Sequence, residues 1–344
     1  MLIQELSNLP GVSGDEGKVR EFIRGQLTQM GIQHHVDTMG NIYARSRGPE
    51  KEGLDPGLML SAHMDEVGLM VACVEKSGHL RFYPVGGVNP WSLVSKPVKI
   101  GKEEVPGVIG AKAIHLQKAE ERKKALEIEQ LYIDIGAKNK EDAEKKVQPG
   151  DYACFDTRSD TLADGKIITG KALDNRAGCA ALLELLRRDY PASFTAVFTV
   201  QEEVGLRGAR VAAYRVNPQV ALVLETTTAA DLLEVKEKDF ATTVGRGPAL
   251  TIRDGSVVTH PRVLERLIET AEKEARPYQF RQFTGSFTDA GVISLSRSGV
   301  KAGVISTPCR YLHTAASLLH REDWEHLVEI ADGFVRSVHE KGLE

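Results

Sequence analysis

Thr199-Val200-Gln201-Glu202-Glu203-Val204-Gly205 lies where an apolar run gives way to two acids and a glycine. It follows Phe194-Thr195-Ala196-Val197-Phe198, a β-branched and aromatic segment of the kind that forms a strand buried on both faces. Neighbouring side chains on a strand point to opposite faces, so Glu202 and Glu203 can serve one site only if the chain turns there. Gly205 has the conformational freedom for that turn. In such an arrangement one carboxylate can hold a metal while the other holds and deprotonates a water. Taken alone, the pair reads more readily as solvated acids opening a loop, and the other strand ends decide between the two readings.

Working outward, the same pattern recurs. Leu58-Met59-Leu60-Ser61-Ala62 is a second buried strand and runs into His63-Met64-Asp65-Glu66, where Asp65 can hold the far nitrogen of a metal-binding His63. Lys166-Ile167-Ile168-Thr169 leads to Ala172-Leu173-Asp174-Asn175-Arg176 at the start of a strong helix, and an N-cap is the ordinary use of Asp174 there. Val220-Ala221-Leu222-Val223-Leu224 delivers Glu225 and three threonines, and Lys301 to Ser306 is a strand leading to Arg310-Tyr311-Leu312-His313. His63, Asp174, Glu203, Glu225 and His313 thus each fall just past a strand or at a strand-to-helix junction. In open α/β sheets, ligands bind in the crevice beyond the carboxyl ends of the strands. Two histidines and three carboxylates without cysteine suit Zn²⁺, Co²⁺ or Mn²⁺. Five ligands exceed one tetrahedral site and suffice for two ions if one carboxylate bridges them.

The rest of the chain is consistent with a large α/β unit carrying an insertion. With 344 residues the chain can bury a substantial core without staples. Its 44 basic and 48 acidic residues give no reason to expect a nucleic-acid or anionic-membrane partner. Cys73, Cys154, Cys179 and Cys309 form no CxxC pair and read as reduced core thiols. The first residues lack a basic region followed by a long apolar run, and no uncharged stretch reaches membrane-spanning length, so the expectation is a cytoplasmic protein. Ser13 and Glu16 have capping-box spacing ahead of a helix expected over about 14 to 30. Helices are also expected from Pro261 and over the Trp324 to Val338 segment. Between about 67 and 163 helical periodicity nearly vanishes, and short strand-like runs alternate with Gly, Pro and Ser turns, which predicts an inserted β-rich domain. Lys118 to Lys124 reads as a solvated charge run within it.

Six segments in order carry a resemblance: Ser61 to Glu66, Ala172 to Arg176, Gln201 to Gly205, Glu225 to Asp231, Gly285 to Asp289, and Arg310 to His313. Through them the chain resembles the M42 metallo-aminopeptidases, the tetrahedral peptidases sometimes called endoglucanases, from end to end. The resemblance implies a mixed central sheet flanked by helices over 1–66 and 164–344, with a barrel-like dimerisation domain inserted at 67–163. It makes Asp174 the bridging ligand, His63 and Glu225 the rest of one metal site, and Glu203 and His313 the rest of the other. Glu202 becomes the general base and Asp65 the residue behind His63, and the Asp174-Asn175 peptide is expected to be cis. It further implies peptide substrates, two divalent ions per subunit, and self-association from dimers to a tetrahedral dodecamer. This chain departs from the pattern in having Glu225 where many members have Asp, and no glutamate near Ser317. A related carboxypeptidase or deacylase could use the same ligands. A glycosidase would leave both histidines without a role, and a structural metal-binding protein would need closed coordination.

Overall fold

The computed structural model describes residues 1–49, 57–282 and 285–343. Its architecture is mixed α/β: an eleven-stranded mixed sheet flanked by helices and, separate from it, a closed barrel. Four strands form the parallel heart of the large sheet, in the order Thr195–Thr199, Leu58–His63, Val220–Thr228 and Lys301–Arg310. Antiparallel strands extend it on both sides, Ile42–Arg45 and His34–Val36 at one edge, Ser317–His320, Ile167–Gly170 and Asp160–Leu162 at the other.

The near-continuous apolar runs of the parallel strands are explained by cores on both faces of the sheet. Leu58, Leu60, Ala196, Phe198, Leu222 and Leu224 pack into one core, with the Leu173–Leu186 and Arg321–Lys341 helices above them. The residues between them, Met59, Val197, Ala221 and Val223, enter a second core beneath the Arg207–Val216 and Ala290–Ser294 helices. The period of two along each strand thus divides one hydrophobic run between two layers. The Leu173–Leu186 helix is buried almost all round because it is covered in turn by the Arg321–Lys341 helix, and Trp324 Nε1 donates to Ala177 O across that contact at 2.9 Å. Gly178 lets this helix approach the sheet, since a Cβ there would meet Leu224 O at 2.5 Å.

The barrel closes antiparallel through Gly68–Val74, Leu80–Val85, Leu131–Asp134, Val105–Ala111, Pro97–Ile100 and Tyr152–Phe155, which returns to the first strand. Leu69, Val71, Leu80, Phe82, Val98, Ile100, Ile109 and Ile133 fill it. The six barrel strands are therefore closed on themselves with no free edge, whereas Asp160–Leu162, at the end of the interval expected to be β-rich, belongs to the large sheet. Among the described residues no helix is long and apolar enough to cross a membrane.

Several local expectations require correction. The first long helix spans Gly17–Gln29 with Glu16 at its N-cap position and no side-chain cap, because the Ser13 and Glu16 side chains are engaged elsewhere. Ahead of it lies an unforeseen short helix, Leu2–Ser7, less than two turns long and so too short to repeat an apolar stripe. The strand bearing Glu225 continues through three β-branched threonines to Thr228, so Glu225 lies within the strand rather than past its end. The strand begun at Lys301 runs to Arg310, and Ser317–His320 forms a further strand against it. Asp174 does not cap its helix: Ala172 occupies the N-cap position, and Asp174 and Asn175 have non-helical backbone angles across a cis peptide bond. Cys73 is exposed, while the other three cysteines are free and buried.

Candidate metal centre

The parallel strands place their carboxyl ends along one edge of the sheet. Register pairs Thr199 with His63, so the turn carrying Glu202 and Glu203 begins beside the histidine. Glu225 points to the same crevice from the next strand, and His313 returns to it from the loop beyond Arg310. Asp174 comes in from the helix that covers the sheet. These five residues and Glu202 line a cleft of about 720 Å³.

Asp174 stands at the centre of this group. Its Oδ1 lies 3.2 Å from His63 Nε2 and its Oδ2 3.5 Å from His313 Nε2, so each oxygen faces a different imidazole. Glu225 Oε1 is 3.4 Å from His63 Nε2, and Glu203 Oε1 is 3.2 Å from His313 Nε2. Ligand atoms of His63, Asp174 and Glu225 cluster within 4.8 Å of one another, as do those of Asp174, Glu203 and His313. Asp174 belongs to both of these, and a third such cluster joins His63, Glu202 and Glu203.

The imidazoles are held from behind. His63 Nδ1 lies 3.2 Å from the carbonyl of Asp65 and 3.4 Å from its Oδ1, while His313 Nδ1 lies 3.0 Å from Gly87 O. An acceptor on Nδ1 leaves Nε2 directed into the cleft as a donor of its lone pair, the arrangement common to metal-binding histidines. Gly87 follows the barrel strand Leu80–Val85, so the inserted barrel fixes one of the two histidines. Sequence reasoning passed over Gly86 and Gly87, whose only signal was a pair of glycines in a strand-rich region.

Asp65 is fully buried and also organises the turn of the Glu pair. Its Oδ1 accepts the Glu202 N–H at 3.0 Å, and its Oδ2 accepts the Glu203 N–H at 3.2 Å and the Ser13 hydroxyl at 2.6 Å. The turn is closed by Gly205 N and Leu206 N, both donating to Glu202 O at 2.9 Å, with Gly205 at φ 119°. These bonds solve the problem posed by alternation along a strand: they bring two adjacent carboxylates to one cleft.

The site is electrostatically polarised. Burial pushes the Glu202 carboxyl well above the ordinary glutamate range, and the neighbouring charges of Glu225, Asp289 and Glu203 push the same way against His63. Burial likewise raises Glu225 to about 7 and Asp289 to about 6. For Asp174, burial is outweighed by its contacts with His313 and His63, and its carboxyl lies below the ordinary range. The same acids raise the proton affinity of both histidines despite burial, His313 to about 11, so a cation bound there would take the place of the Nε2 protons. Such a cluster favours added positive charge. Glu225 Oε2 is buried with no hydrogen-bond partner among the described residues, which is costly unless a cation or another donor compensates it. This oxygen-and-imidazole donor set fits borderline divalent cations.

The family model described as M42 glutamyl aminopeptidase matches residues 40–330. The chain belongs to the M42 family of aminopeptidases. Among its relatives, the lysyl aminopeptidase of Pyrococcus furiosus is 30% identical over 347 residues, covering 98% of this chain and 96% of that one. Among solved structures, the TET aminopeptidase from the marine sediment archaeon Thaumarchaeota archaeon SCGC AB-539-E09 superposes with a TM-score of 0.93 at 32% identity, over 97% of this chain and 95% of that one. The TET1 peptidase of Pyrococcus horikoshii, which can assemble into a tetrahedron or a large octahedral shell, gives a TM-score of 0.84 at 31% identity over 97% and 98% of the two chains. The M42 resemblance read from the six segments therefore holds across the whole fold.

Three further residues at this M42 site were not singled out from sequence. Asp289 is fully buried, accepts the Thr199 hydroxyl at 2.6 Å, and adds negative charge behind Glu202 and Glu225. Its position at the end of the Gly285 to Asp289 segment was the available signal. Arg281, within the electrostatic reach of Glu225 and Asp174, and the exposed Arg210 also line the cleft; nothing in their sequence neighbourhood distinguished them.

Proposed function

We propose that this M42 aminopeptidase removes N-terminal residues from peptides with two divalent ions per subunit, using Glu202 as general base. The carrying observation is Asp174, which turns one carboxylate oxygen toward each histidine. In this reading His63 and Glu225 would hold one ion, Glu203 and His313 the other, and Asp174 would contribute to both. Bound there, a pair of divalent cations such as Zn²⁺, Co²⁺ or Mn²⁺ supplies Lewis acidity toward the scissile carbonyl and makes water more acidic.

The chain's own residues do the rest. Glu202 accepts a proton from the attacking water and returns it to the nitrogen of the departing peptide, which balances the hydrolysis. Burial raises the affinity of Glu202 for that proton, which favours the first step. Asp65 fixes the backbone of Glu202 and the ring of His63 together, so base and ligand share one anchor. A free substrate α-amino group would dock on the site as a ligand or beside an acid, consistent with cleavage from the N-terminus.

Residues 67–163 are assigned to self-association. The barrel leaves Tyr83, Trp91, Ile114 and Leu116 each more than 60% exposed, and large apolar side chains gathered on one unit are characteristic of contact surfaces. Assembly into a closed shell would follow the behaviour of the Pyrococcus horikoshii relative.

Parallel assays separate this function from the related hydrolases. An aminoacyl-anilide should be cleaved and an N-acyl amino acid left intact. Chelation should abolish the activity, and Zn²⁺, Co²⁺ or Mn²⁺ should restore it. Preferential deacylation, or undiminished activity after verified metal removal, would reject the assignment.

A further inference from the structure

Ser13 and Glu16 carry capping-box spacing yet cap no helix, and their side chains instead support the loop beneath the metal centre. Residues 11–16 run along the end of the His63 strand: Glu66 N donates to Gly11 O at 3.0 Å and Ser13 N donates to Glu66 O at 3.2 Å. Gly11 N adds a bond to Glu66 Oε1 at 3.0 Å. From this strap the Ser13 hydroxyl donates to Asp65, and Glu16 Oε1 accepts the Gly14 N–H at 2.7 Å and the Gln201 N–H at 3.2 Å.

The consequence lies in the backbone of the Glu pair. Three successive amides, those of Gln201, Glu202 and Glu203, end on two buried carboxylates, Glu16 and Asp65. Successive N–H groups converging on anions form a nest, which holds the intervening peptide units in one orientation. Gln201 itself sits at φ 56°, a left-handed conformation that a residue with a side chain adopts infrequently. Glu202 is the next residue, so the rotation about Gln201 sets where its carboxylate points. Asp65 anchors the amides beyond that rotation, and Glu16 anchors the amide before it.

We propose that Glu16 is a positioning residue for Glu202, acting through the amide of Gln201 to hold the loop in its left-handed start; this rests on Glu202 serving as the base. Glu16 does not line the cleft that contains the metal-centre residues, and as a residue it is 3% exposed. Its effect therefore belongs in the turnover step, with substrate binding and metal occupancy left intact.

Two substitutions separate the acceptor from the charge. Glu16→Asp keeps the charge but withdraws the acceptor by one methylene; Glu16→Gln keeps an acceptor oxygen at the same reach and removes the charge. For metal-loaded protein, Glu16→Asp should lower kcat roughly 10- to 100-fold, the scale of an ångström-sized misplacement of a catalytic group. KM and metal content should remain close to those of the parent, and Glu16→Gln should retain most of kcat. Glu202→Gln is assayed beside them. Full turnover by Glu16→Asp alongside an inactive Glu202→Gln would overturn the role of Glu16 alone, whereas an active, metal-loaded Glu202→Gln would remove the reading beneath it. A kcat loss in Glu16→Asp tracked by metal loss, or Glu16→Gln as impaired as Glu16→Asp, would also overturn the proposal.

Discussion

Asp65 shows how much of this site depends on single side chains. One buried carboxylate accepts two backbone amides of the Glu pair and the Ser13 hydroxyl while standing beside the His63 ring. Glu202, positioned by that turn, is the residue whose removal should affect chemistry without affecting occupancy. Glu202→Gln is expected to retain its metals and lose about 10²- to 10⁴-fold in kcat, the range for a general base. Metal analysis alongside steady-state kinetics checks both parts, and retention of most activity would remove Glu202 from the mechanism. The sequence made these acids visible because each follows an apolar run. Asp289 escaped notice because it follows Gly285-Ser286-Phe287-Thr288, which is no buried strand, and the folded chain brings it near only through the Thr199 hydroxyl.

At the level of elements, the strand ends are held together by an ion cluster beneath the site. Glu66 receives Lys171 Nζ at 2.6 and 2.8 Å and Arg176 at 3.3 Å, and all three residues are buried. Lys171 Nζ and Arg176 also donate to backbone carbonyls of the N-terminal segment, at Leu9 and Leu6. The cluster thus joins the His63 strand, the Asp174 helix and the first residues of the chain. Glu66→Ala would leave two buried cations without their carboxylate and is expected to cost about 3 to 5 kcal/mol of stability. Denaturant unfolding measures this, and a loss below about 1 kcal/mol would show that the cluster is not buried as described. Sequence patterning located the parallel strands well, because burial on both faces demands uninterrupted apolar runs. It failed at Ser13 and Glu16, where local spacing satisfied a cap while tertiary bonds to Asp65 and Gln201 claimed the side chains. It also stopped the Glu225 strand short, since Thr226, Thr227 and Thr228 are polar in composition but β-branched in shape.

For the whole molecule, the barrel and the sheet meet at the candidate metal centre, where Gly87 O lies against His313 Nδ1. The exposed Trp91 and Tyr83 on the barrel predict that the native protein sediments at a multiple of its 37.7 kDa chain mass. Replacing both with Asp should yield smaller species, and a parent protein sedimenting as a single chain at working concentration would contradict the assembly proposal. The barrel was legible as a strand-rich interval, whereas its closure depends on pairing Tyr152–Phe155 with a strand some eighty residues earlier, which no local pattern encodes. In the proposed centre Asp174 is shared between two ions, an arrangement probed by titrating metal-free protein with Zn²⁺ calorimetrically, in the parent and in Asp174→Ala, His63→Ala and His313→Ala. The parent should bind two ions per subunit, each histidine variant should lose one high-affinity site, and Asp174→Ala should weaken both. A parent that binds a single ion, or an Asp174→Ala protein that binds two with undiminished affinity, would contradict the account.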